Sequence, residues 1–343
     1  MSTGELVEVV LPGKVEPEGL QIRRGDVPAP GPGQVLVRME ATGVSFAEQQ
    51  MRRGRYYDQP AFPFVPGYDL VGTVQAAGPG VDPALAGTRI AALTKIGGWA
   101  SHVLLDAADA VPVPAGIGAA EAETLVVNGI TAWQMLHRKA RVRAGQTVLV
   151  HGANGGVGSV LVQLALAADV KVIGTASTRH HDLLRDQGVV PVDYRSGDVA
   201  ARVRELAPGG VDAVFDHVGG RGIVDSWRLL APGGTLVSYG SASTRDDEGS
   251  KQWPVFKLLG RVWLWNALPN GRRAYFFNAW AGRALSKDRF RARLRADLTE
   301  VFAALQRGDV TPRIAAELPL ARVADAMRLA ESGTVAGKVV LTP

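Results

Sequence analysis

The sequence predicts an α/β protein that joins a doubly wound parallel sheet to a second domain made mostly of antiparallel strands. Helical and strand patterns alternate through the middle of the chain, which is typical of a parallel sheet with helices on both faces. Short β-branched segments separated by Gly and Pro fill the N-terminal part instead. A chain of 343 residues has room for two domains, and 46% hydrophobic with 21% charged residues is ordinary for a globular protein.

The N-terminal part is predicted to form a compact β domain over residues 1–125. Its candidate strands are alternating or β-branched segments at residues 6–10, 34–44, 68–77, 88–93 and 99–104. A helical pattern at 121–139 leads into the parallel sheet, and we place that second domain at residues 126–264. Residues 265–343, which end in a predicted strand at 338–341, are expected to rejoin the first domain.

The parallel sheet is predicted to begin at residues 147–176, which have the pattern of a strand, a tight turn, a helix and a second strand. Residues 147–150 are apolar and mostly β-branched, as in a strand buried on both faces. An apolar helical period follows, and residues 171–175 complete a βαβ unit. Further strands of this sheet are predicted near residue 191 and at 211–216 and 234–239.

The turn inside this unit carries a dinucleotide-binding pattern. Ala153, Gly155 and Gly158 lie in the register of G-x-G-x-x-G, and Gly156 and Val157 lie within it. The first small residue lets the chain turn, the second lets backbone amides approach a pyrophosphate, and the third lets the helix pack tightly on the strand. The positive end of the helix dipole favours the phosphates. A dinucleotide site is therefore predicted, and the alternative is a glycine-rich turn of some other doubly wound sheet.

The end of the second strand indicates which dinucleotide binds. An NAD site would place Asp or Glu about 20 residues beyond the glycines, where it accepts hydrogen bonds from the ribose 2′-hydroxyl. This chain has Ser177 and Arg179 there, which can bond a 2′-phosphate, and Tyr194 and Arg195 could flank the same adenosine end. The prediction is NADPH. The alternative is that Ser177 only caps a helix and Arg179 is solvated.

Composition limits the chemistry and the location. The chain has no cysteine, which excludes disulfides, thiolate zinc sites and a cysteine nucleophile. The N-terminus lacks the basic and then apolar pattern of a signal peptide, so we expect a cytoplasmic protein. The net charge of +5 forms no single long basic run and no RNA-binding motif accompanies it, so no nucleic-acid partner is expected.

Several segments together resemble one known family. They are PGYDLVGTV, TLVVNGITAWQML, HGANGGVG, GTASTRHHDLL, VFDHVGG and the terminal GKVVLTP. These segments are similar to the zinc-independent branch of the medium-chain dehydrogenase/reductases, the quinone oxidoreductase group, over essentially the whole chain. The resemblance implies a GroES-like β domain folded from both chain ends, a Rossmann domain between its parts, a cleft between the two, NADPH and a homodimer.

A catalytic zinc site is not expected. Zinc-bearing relatives have Gly-His-Glu where this chain has Gly67-Tyr68-Asp69, and such a site needs three suitable protein ligands. The histidines are scattered, and the adjacent His180 and His181 point to different helix faces. Hydride transfer must then be helped by positioning and by hydrogen-bond donors, which favours conjugated acceptors such as quinones and α,β-unsaturated ketones.

The resemblance also assigns residues to the nicotinamide end of the cofactor. They are Asn128, Thr131, Val218, Gly240 and Ser241, with Lys338 of the terminal GKVV approaching the same cleft. In a doubly wound sheet the ligand lies over the carboxyl ends of the central strands, which is where most of these positions are predicted.

One motif of the first domain departs from the family. The family often has Asn-Phe-x-Asp-x-x-Tyr before Arg-x-Gly-x-Tyr, and this chain has SFAEQQM before RGRY. Ser45 stands for the usual Asn, and Gln50 stands for a Tyr proposed as a proton donor in relatives. The candidates for the acceptor site are therefore Tyr56 or Tyr57, Ser45 and Gln50, with solvent as the alternative proton source. An aromatic ring at such a place can equally serve packing.

The segment 253–280 is unusual because it holds four of the seven tryptophans and is followed by several basic residues. Three interpretations stay open: helices that line a large apolar substrate pocket and a dimer surface, ordinary core, or an interfacial aromatic and basic segment that contacts anionic lipid. Lys257 and Arg261 interrupt the apolar run, so it is not predicted to span a membrane.

The principal hypothesis is an NADPH-dependent, metal-free reductase that transfers a hydride to a small conjugated carbonyl acceptor. One alternative is an enoyl reductase of lipid or polyketide synthesis, which the aromatic segment would suit. Another is a protein that keeps NADPH as a structural ligand, as a scaffold or at a membrane surface, without turnover.

Overall fold

The computed structural model describes residues 4–220, 222–240, 242 and 253–343. The chain divides into two compact units. The first unit comprises Met1–Asn128, Arg291–Ala303 and Pro312–Pro343, and the second comprises Gly129–Phe290 and Ala304–Thr311. Both N-terminal and C-terminal segments therefore belong to the first unit.

The strands and helices are numbered separately along the chain. The strands are β1 (Glu5–Val10), β2 (Gln21–Asp26), β3 (Gln34–Val44), β4 (Asp69–Ala77), β5 (Arg89–Leu93), β6 (His102–Asp106), β7 (Val111–Pro112), β8 (Thr147–Val150), β9 (Lys171–Ala176), β10 (Val190–Asp193), β11 (Val211–Asp216), β12 (Leu230–Ser238), β13 (Arg273–Phe276), β14 (Ile314–Pro319) and β15 (Lys338–Thr342). The helices are α1 (Phe46–Arg52), α2 (Ala119–Trp133), α3 (Gly156–Ala167), α4 (His181–Asp186), α5 (Val199–Leu206), α6 (Ile223–Arg228), α7 (Trp253–Ala267), α8 (Lys287–Arg307) and α9 (Val323–Glu331).

The first unit is built on a mixed sheet with the strand order β14-β15-β3-β4-β5-β7, and β6 also pairs with β3. β14 and β15 are parallel, whereas the other pairs of this sheet are antiparallel. Alternate residues of β3, namely Val35, Val37 and Met39, are buried in the core beside Trp99. Because β15 pairs with β3, the C-terminus completes the N-terminal sheet. The first unit is therefore a mostly antiparallel β structure to which a strand near the C-terminus contributes.

The second unit is built on a parallel sheet with the strand order β10-β9-β8-β11-β12-β13. The chain starts at β8, moves outward through β9 and β10, and then returns to the other side of β8 as β11. This reversal creates a switch point at the carboxyl ends of β8 and β11, where doubly wound sheets bind ligands. Val148, Leu149 and Val150 are fully buried, as expected for a central strand covered on both faces. The predicted doubly wound sheet is confirmed.

The division of the chain differs from the predicted boundary near residue 265. β13 pairs in parallel with β12 and α7 packs against β13, which keeps residues 265–290 in the second unit. A strand of only four residues, flanked by arginines and aromatic residues, gives too weak a period to be recognised in the sequence. The predicted helix at 121–139 corresponds to α2, which continues into a π-helical segment at Gln134–Ala140. None of the helices within the described ranges is long and apolar enough to cross a membrane.

Candidate functional site

The turn between β8 and α3 can accept an anion. Gly155 is the residue that precedes α3, and no side chain caps the helix there. The first amides of α3, from Gly156 onward, therefore point out of the helix end without a side-chain acceptor, which is the arrangement that binds phosphate groups. Ala153, at the first position of the fingerprint, donates its amide to the Thr175 carbonyl at 3.0 Å and so fixes the turn to β9.

The glycines of this turn are required by close backbone contacts. A Cβ atom on Gly158 would lie 2.1 Å from the Gly152 carbonyl oxygen, a distance that no side chain can occupy. Gly152 itself has a φ of +64°, in the left-handed region. A Cβ atom on Gly155 would lie 3.3 Å from the same carbonyl oxygen. The backbone thus requires glycine at positions 152 and 158, whereas a side chain at position 155 would meet only one tight contact.

A buried network of polar side chains is hydrogen-bonded to the turn. The sequence did not reveal it. The His151 ring lies 3.3 Å from Thr175 Oγ1 through Nδ1 and 3.2 Å from Ser226 Oγ through Nε2. Ser226 Oγ donates to Asp216 Oδ2 at 2.6 Å, and Thr175 Oγ1 accepts from the Gly152 amide at 3.1 Å. Burial lowers the pKa of the His151 imidazole, against a smaller opposing effect of Asp216. The network thus joins the carboxyl ends of β8, β9 and β11 with a neutral imidazole at its centre.

The predicted adenosine end lies after β9 and β10. Ser177 is buried directly after β9, and no side-chain hydrogen bond from it caps the short helical turn that follows. Arg179 is exposed, and within the described part of the chain its guanidinium has no hydrogen bond or ion pair. Tyr194 is also exposed, with the Arg195 guanidinium 5.4 Å from its ring centroid. Two arginines therefore follow the two neighbouring strands.

The carboxylate of Asp193, the last residue of β10, already has hydrogen-bond donors. Asp193 accepts hydrogen bonds from Thr178 Oγ1 at 2.5 Å and from the Arg195 amide at 2.8 Å. The Thr178 hydrogen bond is the main cause that lowers the pKa of Asp193. No sequence pattern singles out this acid, because its position at the end of β10 does not match the acid of an NAD fingerprint.

The residues predicted for the nicotinamide end are partly described. Asn128 and Thr131 are buried one helical turn apart on α2, and Asn128 Nδ2 has no hydrogen-bond partner among the described residues. The Val218 amide donates to Asp216 Oδ1 at 2.8 Å. A Cβ atom on Gly240 would lie 2.7 Å from the His217 carbonyl oxygen, so this turn requires glycine. Ser241 lies outside the described residues.

In the first unit, Ser45 is engaged in capping a helix. It precedes α1 and forms a capping box with Glu48: the Ser45 amide donates to Glu48 Oε2 at 3.0 Å, and the Ser45 hydroxyl bonds the same carboxylate and accepts from the Ala47 amide. Gln50, five residues further, is buried, and its Nε2 has no hydrogen-bond partner in the described ranges. Of these two candidates, Gln50 is the one with an unused donor.

Tyr56 is held inside a group of tyrosines. Its hydroxyl lies 3.0 Å from the Tyr68 hydroxyl, and its ring lies 4.8 Å from that of Tyr57. Burial raises the pKa of the Tyr56 phenol far above its usual value, and the neighbouring Tyr68 adds to the effect. Tyr56 therefore keeps its proton and has a protein partner for its hydroxyl.

Lys338 differs from the expectation that it approaches the cofactor. Its Nζ donates to Asp69 Oδ2 at 2.8 Å and lies 2.6 Å from Glu123 Oε1, and all three side chains are buried in the first unit. Burial alone would lower the pKa of Lys338, but the two carboxylates outweigh it and raise that pKa. Burial raises the pKa of Glu123 well above its usual value. The ammonium thus has its partners within the protein, and it serves the structure of the first unit.

The donors at residues 67–69 do not fit a zinc ion. The Tyr68 hydroxyl is hydrogen-bonded to Tyr56, and the Asp69 carboxylate holds Lys338 and the Val127 amide. Among the described residues, no group of three or more His, Cys, Asp or Glu could hold a metal ion.

Comparison with known proteins finds family models and relatives that are similar to this chain. A family model described as "Zinc-binding dehydrogenase" matches residues 187–341, and one described as "Alcohol dehydrogenase GroES-like domain" matches residues 31–115. The chain is 35% identical over 338 residues to the synaptic vesicle membrane protein VAT-1 homolog of Rattus norvegicus, covering 94% of this chain and 80% of the relative. It is 34% identical over 318 residues to the phthioceranic/hydroxyphthioceranic acid synthase of Mycobacterium tuberculosis, covering 91% of this chain and 14% of the synthase.

Two solved structures extend the comparison. Mycobacterial Rv1454c complexed with NADPH is 29% identical, with 98% of this chain and 100% of that chain covered and a TM-score of 0.83. The quinone oxidoreductase of Pseudomonas syringae pv. Tomato DC3000 is 27% identical, with 98% and 100% covered and a TM-score of 0.84.

Proposed function

Since the chain belongs to the medium-chain dehydrogenase/reductases, in their quinone-oxidoreductase-like branch, we propose that it is an NADPH-dependent oxidoreductase that reduces a conjugated carbonyl acceptor, either a quinone or an α,β-unsaturated ketone. The glycine turn at the start of α3 carries this proposal. Its uncapped helix end can receive a pyrophosphate. Arg179 and Arg195 follow the two strands beside it, and Asp193 at the end of β10 is already hydrogen-bonded.

The residues of the second unit fit NADPH. The backbone of Gly156, Val157 and Gly158 would hold the pyrophosphate, because the helix dipole and the unpaired amides act on the same anion. Ser177 and Arg179 would hold the 2′-phosphate by charge-assisted hydrogen bonds. When bound, the dihydronicotinamide supplies the hydride.

Two buried side-chain amides support the proposal that the acceptor is a compound with oxygen atoms. A buried donor without a partner costs about 1–3 kcal/mol, so such groups are normally satisfied by a ligand or by water. Asn128 Nδ2 and Gln50 Nε2 are donors of this kind within the described part of the chain. We assign Asn128 to the cofactor and Gln50 to the acceptor oxygen, where its N–H would stabilise developing negative charge.

A conjugated acceptor fits these weak donors better than a simple ketone does. In a quinone or an enone the incoming charge spreads onto oxygen, so one amide donor and good positioning suffice. We propose that solvent, and not Tyr56, supplies the proton that the reduced acceptor takes up. The Tyr56 hydroxyl is hydrogen-bonded within the protein, and its raised pKa makes it a weak acid.

The proposed activity can be tested by mixing the protein with NADPH in a stopped-flow instrument and following the loss of its absorbance. A panel of small quinones and enones should oxidise NADPH, and EDTA should leave the rate unchanged. A rate that falls with EDTA would contradict the metal-free reaction. Tight NADPH binding without oxidation by any acceptor would instead favour the scaffold without turnover.

An enoyl reductase of lipid synthesis is a second candidate. Its support is the 34% identity to a segment of the mycobacterial phthioceranic/hydroxyphthioceranic acid synthase, which covers 91% of this chain. The comparison to make is kcat/KM for long-chain enoyl thioesters against kcat/KM for small quinones. A preference for thioesters of more than about tenfold, equal to about 1.4 kcal/mol, would favour the enoyl reductase.

We also propose that the protein forms a homodimer through β13. This strand ends the sheet of the second unit, so its outer edge can pair with the same strand of a second copy. Light scattering coupled to size-exclusion chromatography measures the mass directly. A monomer at micromolar concentration would contradict this assembly.

A further inference from the structure

The outward side of α7 is apolar. Trp253, Phe256, Leu259, Trp263 and Leu264 lie at helical spacing on one side and are 43–75% exposed, and Trp263 is the most exposed of the five. We call these five residues the α7 face. Single exposed apolar residues are ordinary on a protein surface, but five on one helix face form a contiguous patch of the kind that marks an interaction site.

The opposite side of the same helix already supplies the packing that the fold needs. Trp265 is buried and stacks on Trp227 with 4.9 Å between ring centroids, and Leu258 and Val262 pack against the core of the second unit. The α7 face is therefore not required to hold the helix on the sheet.

The charged residues of α7 itself have one sign. The helix carries Lys257 and Arg261 and has no Asp or Glu between residues 253 and 267. The Lys257 ammonium lies 5.6 Å from the centroid of the Trp253 ring, so a cation stands directly beside the exposed aromatics. Arg273, soon after the helix, is also exposed, whereas the guanidiniums of Arg261 and Arg272 donate to the backbone carbonyls of Gly220 and of Leu230 and Ala231. A partner of the α7 face must therefore accept apolar side chains and positive charges together.

We propose that the α7 face binds the surface of an anionic lipid bilayer. Trp, Phe and Leu side chains enter the boundary between headgroups and acyl chains, and neighbouring lysines and arginines bind the lipid phosphates. A second copy of this chain fits less well. A twofold contact between two α7 faces would bring Lys257 of both copies together with no acid of the helix to pair it.

Vesicle flotation tests this proposal without reference to the enzymatic activity. The full chain is mixed with large unilamellar vesicles of phosphatidylcholine, with or without one third phosphatidylglycerol (roughly equal to an anionic membrane). The protein should float with the anionic vesicles and not with pure phosphatidylcholine. Raising the salt from about 0.1 M to 1 M should release it, because the Debye length falls from about 10 Å to about 3 Å.

Substitutions locate the contact on the helix. The double variant Phe256→Ser, Trp263→Ser should lose at least about tenfold in vesicle affinity, and Lys257→Glu should lose about fivefold or more. The matched control is Val190→Ser, which removes another exposed apolar side chain at the opposite edge of the sheet, on β10. This control should bind vesicles as the wild type does. NADPH binding by each variant checks that the second unit is folded.

A second measurement reports how deeply the tryptophans of the α7 face enter the bilayer. Lipids with brominated acyl chains should quench tryptophan fluorescence of the wild type, and Trp263→Phe should lose much of that quenching while it still floats. Three results would overturn the proposal: no binding to anionic vesicles, binding that the Phe256→Ser, Trp263→Ser variant retains, or a dimer that this variant dissociates while the wild type ignores lipid. The last result would assign the α7 face to a second copy.

Discussion

The hydroxyl of Thr175 lies 3.3 Å from Nδ1 of His151. The same oxygen accepts a hydrogen bond from the Gly152 amide at 3.1 Å, so one side chain of β9 holds both the end of β8 and the start of the nucleotide-binding turn. Thr175 is buried, and a buried amide that loses its acceptor is costly. The shape of the turn therefore depends on this hydroxyl.

Thr175→Val should weaken NADPH binding by about two- to tenfold, because a lost internal hydrogen bond is worth about 0.5–1.5 kcal/mol. Isothermal titration calorimetry measures the Kd. The matched control is Thr175→Ser, which keeps the hydroxyl and should bind NADPH nearly as the wild type does. Equal weakening in both variants would show that the methyl group, and not the hydrogen bond, positions the turn.

The half-buried imidazoles of His151 and His217 predict how stability depends on pH. Burial lowers the pKa of both His151 and His217, so the folded chain keeps them neutral while the unfolded chain titrates them near 6.5. As the pH falls through this value, the unfolded chain binds more protons and stability decreases; above it the contribution is fully present. His151→Gln cannot titrate, so its Tm should vary less than that of the wild type between about pH 7 and 5. Circular dichroism melting curves give both slopes, and parallel slopes would contradict the assignment.

The fold could be predicted because its signals are local. The βαβ unit has a four-residue apolar strand, a glycine turn and an amphipathic helix in immediate succession, and each of these is visible in a short window. β13 could not be predicted in this way. Its place in the sheet depends on pairing with β12, and a sequence of four residues does not encode that pairing. The pairing of β13 with β12 keeps β13 in the second unit, and this moves the domain boundary away from residue 265.

The site was predictable only where neighbours in sequence are neighbours in space. The glycine turn and the arginine after β9 follow from fixed offsets within one unit. The contact between His151 and Ser226 joins residues 75 positions apart, and that between Asp69 and Lys338 joins residues 269 positions apart. Neither pair has a spacing that a motif could record. Family likeness places Lys338 at the cofactor, although its ammonium is bound by the buried carboxylates of Asp69 and Glu123.

Arg179→Ala should weaken NADPH by roughly 1.5–3 kcal/mol, or about one to two powers of ten in Kd, and should change NADH binding little. The reason is that only NADPH carries the 2′-phosphate that the guanidinium would bind. Fluorescence titration with both cofactors measures the two losses. Arg202→Ala, at an exposed arginine of α5 that pairs with Glu205, is the control. Equal losses for both cofactors would mean that Arg179 supports the fold rather than the phosphate.

Gly158→Ala should destroy nucleotide binding or the folding of the second unit, because the new methyl group would lie 2.1 Å from the Gly152 carbonyl oxygen. Gly209→Ala is the matched control, since a Cβ atom there meets no atom within 4 Å and its backbone φ is not in the left-handed region. Thermal melting with and without NADPH separates the two effects. A Gly158→Ala variant that NADPH still stabilises as strongly as the wild type would contradict the tight packing of α3 on the turn.

Proton delivery gives the sharpest test of the acceptor site. Tyr56 is buried with its hydroxyl 3.0 Å from that of Tyr68, and burial raises its pKa far above the operating pH, which makes it a poor acid. If solvent supplies the proton, Tyr56→Phe should change kcat by no more than about threefold and should mainly cost about 0.5–1.5 kcal/mol of stability through the lost hydrogen bond.

Tyr68→Phe is the control for that stability loss, because it removes the other hydroxyl of the same pair. Gln50→Leu should act differently from both tyrosine variants, because it removes the amide proposed to hold the acceptor oxygen. It should raise KM or lower turnover by a few-fold and leave the NADPH affinity unchanged. Single-turnover oxidation of NADPH separates the chemical step from product release. A loss of about 10²–10⁴ in that step for Tyr56→Phe, with cofactor binding intact, would make Tyr56 the acid, because that is the usual contribution of a positioned proton donor.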